Sequence, residues 1–188
     1  MSHFKSRRKG RVHVELPGYA AGLLSNLARQ LVELLSDGEA APQPGGDPLE
    51  EMLTIDGPRD APEDPALKRL LPDAHADDAD AAAEFRRFTE RGLRLGKVGD
   101  AMVVIDTIGP VDEVDAEDVE FELDAEQARS WMRSLTDMRL TMAERLGVTA
   151  DDEAYWESMP AEDPRLQIHE IFGWLGYLLE SLLEAVEG

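Results

Sequence analysis

Cysteine is absent from this chain of 188 residues. That absence excludes disulfides, thiolate nucleophiles, Cys-ligated zinc and thiol redox chemistry within the polypeptide. Histidine is scarce as well: His3, His13, His75 and His169 are all there are, and no two stand at a short metal-ligand spacing. His169-Glu170 opens like the H-E-x-x-H helix of zinc proteases, but position 173 is Gly and the second ligand is missing. His169 therefore reads as a polar residue near the start of a core helix. Asp77, Asp78 and Asp80 lack the Gly and terminal Glu of a calcium loop and read as helix N-terminal acids. Neither a G-x-S-x-G nucleophile elbow nor a phosphate-binding P-loop occurs. The sequence nominates no catalytic, cofactor-binding or metal-ligating residue, and a non-enzymatic protein is expected.

Long apolar runs are missing too; none reaches the ~18 residues of a membrane span. The basic N-terminus is not followed by an apolar stretch and a small-residue cleavage site, so the expected location is cytoplasmic. Positive charge is the next scarcity. Asp and Glu number 40 against 19 Lys and Arg, a formal net charge of −21. Such a field repels phosphate backbones. The exception is the opening MSHFKSRRKGR, where Lys5, Arg7, Arg8, Lys9 and Arg11 crowd together without an acid. This tract has no aromatic besides Phe4 and feeds no recognisable groove-binding module, so it reads as the flank of a first strand. No direct nucleic-acid binding is expected.

What is present is patterning. VHVEL, with Val12, Val14 and Leu16, and VEFEL, with Val119, Phe121 and Leu123, alternate at period two, and each runs into a helix. Leu24, Leu27, Leu31, Leu34 and Leu35 mark the first of these helices, which should stop near Asp37-Gly38. Ala128, Trp131, Leu135, Met138, Met142 and Leu146 mark the second, from a capping box at Asp124 and Gln127 to Gly147. Asp-Pro starts at 64–65 and 163–164 announce two more, the later one leading into IFGWLGYLLESLLEAV. Apolar residues in that last helix occupy more than one stripe, as suits a central packed helix. Met132, Met138 and Met142 read as core. The fold expected is α+β, predominantly α: three long helices packed together with a small strand pair, a strand-helix unit occurring twice. The chain reads as a single domain, 1–188, with a mobile Pro/Gly-rich connection at 38–64 that holds five of the eleven prolines. DPLEEML is a candidate short helix within it.

Between Asp80 and Ile108 a long helix is predicted, although its MVVI end also suits a strand. Phe85, Phe88, Gly92, Leu95, Gly99 and Met102 share one face at spacings of three and four. Arg86, Arg87, Arg91, Arg94 and Lys97 fall on the opposite side and form a candidate partner-binding face. Two readings compete there: a docking face for an acidic partner, or a solvated face balanced by Glu84, Glu90 and the acidic stretch 112–120. The surplus of acids favours the solvated face.

VELPGYAAGLLSNLARQLVELL, EDPALKRLLPDAHADDADAAAEFRRFTERGLR, FELDAEQARSWMRSLTDMRLTMAERLGV and the final IFGWLGYLLESLLEAV follow in an order that spans nearly the whole chain. In that order and character the chain resembles the actinobacterial AosR-like family, long grouped as a domain of unknown function. The resemblance implies a cytoplasmic regulator that contacts an alternative sigma factor as its protein partner. Its implied output is the expression of cysteine-biosynthesis genes under oxidative stress. The family's sensing is attributed to an intramolecular disulfide, which a chain without cysteine does not form, so no sensor residue carries over. The reading set against it is an acidic adaptor or structural interaction module with no transcriptional role.

Limited proteolysis tests this layout. The first cut is expected within residues 39–64, where Pro and Gly density denies the chain a packed element. First cuts within 128–146 would overturn the helix assignment.

Overall fold

The two alternating pentads find each other across the chain. A computed structural model describes residues 3–7, 10–36, 60–74, 77–111, 117–149 and 151–188. In it β2 (Arg11–Leu16) and β3 (Val119–Leu123) run antiparallel, with Val12 opposite Leu123, Val14 opposite Phe121 and Leu16 opposite Val119. Val12, Val14, Leu16 and Leu123 are buried, whereas Glu120 and Glu122 face solvent, as period-two alternation requires.

The sheet has three strands rather than the expected pair. The basic tract does not merely flank β2; its Phe4–Arg7 segment is strand β1, antiparallel to β2 at the sheet edge. Phe4 supplies the reason. It is 3% exposed and meets the Trp131 ring edge-on at 5.9 Å, so one aromatic anchors a strand whose other residues point outward. Lys5 donates to Glu15 Oε2 at 2.6 Å, and Gly10, at φ +68°, lies between the two strands. A charged edge also discourages pairing with other chains.

Six helices are present among the described residues: α1 (Gly18–Ser36), α2 (Pro65–Leu70), α3 (Ala79–Ile108), α4 (Ala125–Leu146), α5 (Glu153–Glu157) and α6 (Pro164–Glu187). Four of them are long, one more than expected. The MVVI stretch continues α3 as helix. Asp64 accepts the Ala66 N–H at 2.7 Å and Asp163 the Arg165 N–H at 2.9 Å, each followed by Pro at the first helical position. Asp124 and Gln127 form the reciprocal capping box, and Gly147 closes α4 in the left-handed conformation. Asp78 caps α3, so the acids at 77–80 serve a helix start. DPLEEML and most of the 38–64 connection lie outside the described residues.

α3 runs antiparallel to both α1 and α4, and α4 packs on α6, which also closes against β1 and β2. Trp131 shares the core with leucines of α1 and α6, and its indole N–H donates to Thr107 Oγ1 at 2.9 Å. The orientation of α3 departs most from expectation. Its inward side carries Ala82, Arg86, Glu90, Arg94, Ala101, Val104 and Ile108, so the basic side expected to be solvated is the one that packs. Glu90, 2% exposed, accepts from Arg94 Nε at 2.9 Å, and Arg86 pairs with Asp73. Arg94 Nη1 donates to the Leu35 carbonyl at 2.8 Å. That carbonyl belongs to the last turn of α1, a helix with no basic residue of its own there, so Arg94 satisfies an orphan acceptor at the negative end of the dipole.

Packing of the first strand can be measured by urea unfolding. Phe4→Ala is expected to cost about 3–5 kcal/mol as a fully buried truncation, and Phe121→Ala, half-buried, roughly half as much. A Phe4→Ala variant as stable as the parent would mean that β1 does not pack.

Candidate functional site

The leucine repeat of α1 is wider than one neighbour can cover. Leu24, Leu31 and Leu35 turn into the core, while Leu23, Leu27 and Leu34 look towards α4 and the start of α6. There they meet Met138 and Met142 of α4 and Ile168 and Ile171 of α6 across a groove of about 460 Å³. Asn26, Gln30, Thr141 and Arg145 give it a polar rim. Arg145 also donates to Asp64 at 2.6 Å, tying the rim to the cap of α2. Burial alone raises the Asp64 carboxyl, but the bonds from Arg145 and from the Ala66 and Leu67 N–H groups hold it below its ordinary value. Met138 is core, as expected, and Met132 and Met142 pack against it. The lining contains no nucleophile paired with a base, so what the groove offers is burial of an apolar segment, with unbranched methionines able to adapt to it.

Of the five cations proposed as a partner face, the structure gathers three into intramolecular pairs. Arg86 and Arg94 converge on Glu90. Lys97 donates to Asp137 Oδ1 at 2.7 Å beside a second groove, of about 440 Å³, between α3 and α4. Arg87 and Arg91 keep partial exposure, and the Arg87 guanidinium lies 5.5 Å from the centre of the Phe88 ring. His169 stacks on Trp156 at 4.3 Å, a structural contact. Among the described residues no group of three or more His, Cys, Asp or Glu is placed to hold a metal ion, and no helix is long and apolar enough to cross a membrane.

Sequence reasoning set Glu90 on a solvated face, where the structure buries it, and missed Asp137. Glu90 had a signal, since Arg86, Glu90 and Arg94 stand four apart with alternating charge. Asp137 had a weaker one, an acid next to Met138 on the apolar side of α4. Burial raises its carboxyl above the ordinary 3.8, opposed by the hydrogen bond and charge of Lys97 and reinforced by nearby Asp100.

These features define an acidic α+β protein with an apolar groove and internally paired cations. The chain belongs to the family described as Domain of unknown function (DUF2017), whose sequence model matches residues 1–186. It is 29% identical over 193 residues to the "Oxidative stress regulator AosR" of Mycobacterium tuberculosis (strain ATCC 25618 / H37Rv) and to that of Mycobacterium bovis, covering 98% of this chain and 86% of the relative. The "Putative oxidative stress regulator AosR" of Mycobacterium leprae is 29% identical over 186 residues, covering 89% of this chain and 79% of the relative. No solved structure matches.

Asp137 gives a pH test with a fixed sign. The folded carboxyl holds its proton more tightly than the unfolded one. Its stabilising contribution is therefore complete below the unfolded pKa and is lost as pH rises through the folded value. Relative to the parent, Asp137→Asn should gain stability as pH climbs from below 3.8 towards neutrality, read as the difference in urea midpoints. An offset that is constant with pH would contradict this.

Proposed function

We propose that this chain is a cytoplasmic, non-enzymatic regulator of the oxidative-stress response that acts by protein contact, its partner an alternative sigma factor. One observation carries the reading: similarity to proteins named oxidative stress regulators runs through 98% of the chain. The groove between α1, α4 and α6 supports it, because an apolar trough with a polar rim suits the apolar face of a partner helix. Arg87 and Arg91, the outward members of the basic face, suit acids on the same partner. With no cysteine in the chain, a thiol switch in the complex belongs to the partner.

Titration of this chain with alternative sigma factors from its host, each protein treated separately, tests the reading. Diamide acts on thiols, so treating this chain alone should leave affinity within roughly 0.5 kcal/mol, the scale of an ordinary surface perturbation. Ile168→Glu, at an exposed position in the groove, should weaken binding on the order of tenfold, about 1.4 kcal/mol. Binding to no sigma factor would favour the acidic adaptor. A large change after peroxide treatment of this chain, mapped to Met132, Met138 or Met142, would replace the thiol-free picture with methionine oxidation.

A further inference from the structure

Over its first half α3 is turned inside out relative to an ordinary amphipathic helix. Its charged residues Arg86, Glu90 and Arg94 are buried, while Phe85, Phe88 and Leu95 are 42%, 57% and 52% exposed. The outward residues are not scattered. Phe85, Phe88, Gly92, Leu95, Gly99 and Met102 recur at spacings of three, four, three, four and three, the a/d seam of a coiled coil. The seam is about 26 Å long at 1.5 Å per residue. Two of its members are glycines, costly in a helix interior, and nothing among the described residues requires them: a Cβ added at Gly92 or Gly99 meets no described atom within 4 Å.

We propose that this seam is a homodimer interface in which α3 packs antiparallel against α3 of a second copy, about a twofold axis between Leu93 and Arg94. The order of large and small residues selects this occupant. In that register Phe88 faces Gly99 of the second copy, Leu95 faces Gly92, and Phe85 faces Met102, each a against d as antiparallel pairs require. Every bulky residue between the two ends meets a glycine, and the aromatic ring at each end meets a thioether. A parallel, in-register pair would instead set Phe88 on Phe88 and glycine on glycine, a clash beside a void. The seam is isologous, so one sequence supplies both halves. Flanking charges do not oppose: Arg91 faces Val98 of the second copy, and Glu84 faces Ile105. Because each copy carries −21 overall while the seam is apolar, association should strengthen as salt screens the general repulsion. Arg91 flanks the seam, but the groove between α1, α4 and α6 has no residue of α3 in its lining, so Ile168→Glu and Phe88→Glu report partner binding and dimerisation separately.

Sedimentation equilibrium of the full chain tests the proposal. A dimer with a micromolar Kd is expected from a short seam, tightening with added salt. Phe88→Glu, at an exposed position, should abolish the dimer with unchanged circular dichroism. Gly99→Ala should raise the unfolding midpoint of the dilute monomer yet weaken association, a pair of opposite effects that a purely intramolecular role does not give. The cysteine-free background allows a direct reading of orientation. Oxidising a mixture of Phe88→Cys and Gly99→Cys chains should give the mixed disulfide, not the Phe88→Cys homodimer. A chain that stays monomeric at about 100 µM, a hundredfold above a micromolar Kd, overturns the proposal, as does a dimer indifferent to Phe88→Glu or one cross-linked 88 to 88.

Discussion

The rotation of α3 about its own axis is set by one buried network. Glu90 sits between Arg86 and Arg94, and Arg94 in turn reaches the last turn of α1 at Leu35. Burying a carboxylate and two guanidiniums is costly unless each finds partners, and losing one partner of such a network typically costs about 3–5 kcal/mol. Asp73, Glu90 and the Leu35 carbonyl supply them. A rotation that brought Phe85 and Phe88 inward would leave the α1 carbonyl without its cation and turn Ala101, Val104 and Ile108 out of the core. In the first half of the helix the network thus specifies an orientation that apolar burial by itself would not choose, and Ala101, Val104 and Ile108 agree with it in the second.

Much follows from that rotation. With its charged side inward, α3 lies along α1 at the arginine end and along α4 through Lys97 and Asp137. The remaining faces of α1 and α4 then border the groove that α6 closes with Ile168 and Ile171. The opposite side of α3 is left apolar and outward. One internal ion network therefore separates two apolar surfaces, a trough on the far side of α1 and α4 and a helical seam on α3.

The sheet plays a supporting part. It clamps the two strand-helix units at one end through Phe4, Phe121 and Trp131, whose rings meet within 6 Å. Lys5 and Arg11, from the basic tract that looks like a nucleic-acid arm in an acidic chain, are spent on the sheet, Lys5 on Glu15 and Arg11 on Glu122. These cations are neutralised pairwise and locally, within a chain that stays strongly acidic.

The sequence by itself determined the local features. Asp-Pro starts, the Asp124–Gln127 box, the glycine stop at 147 and the alternation in VHVEL and VEFEL each act within a few residues, and each stands where its spacing puts it. Even the partnership of the two pentads was readable, because each needs a half-buried neighbour. Strand β1 escaped because its one buried aromatic, Phe4, stands at the head of a run of polar and basic residues whose alternation it cannot reveal alone. The tertiary structure decided which side of α3 faces in. Helical periodicity states which residues share a side, and the sequence showed correctly that Arg86 and Arg94 lie opposite Phe85 and Phe88. It does not say which side will find partners. The acceptor that draws Arg94 inward is a carbonyl 59 residues away, left unsatisfied only once α1 has formed and ended beside it.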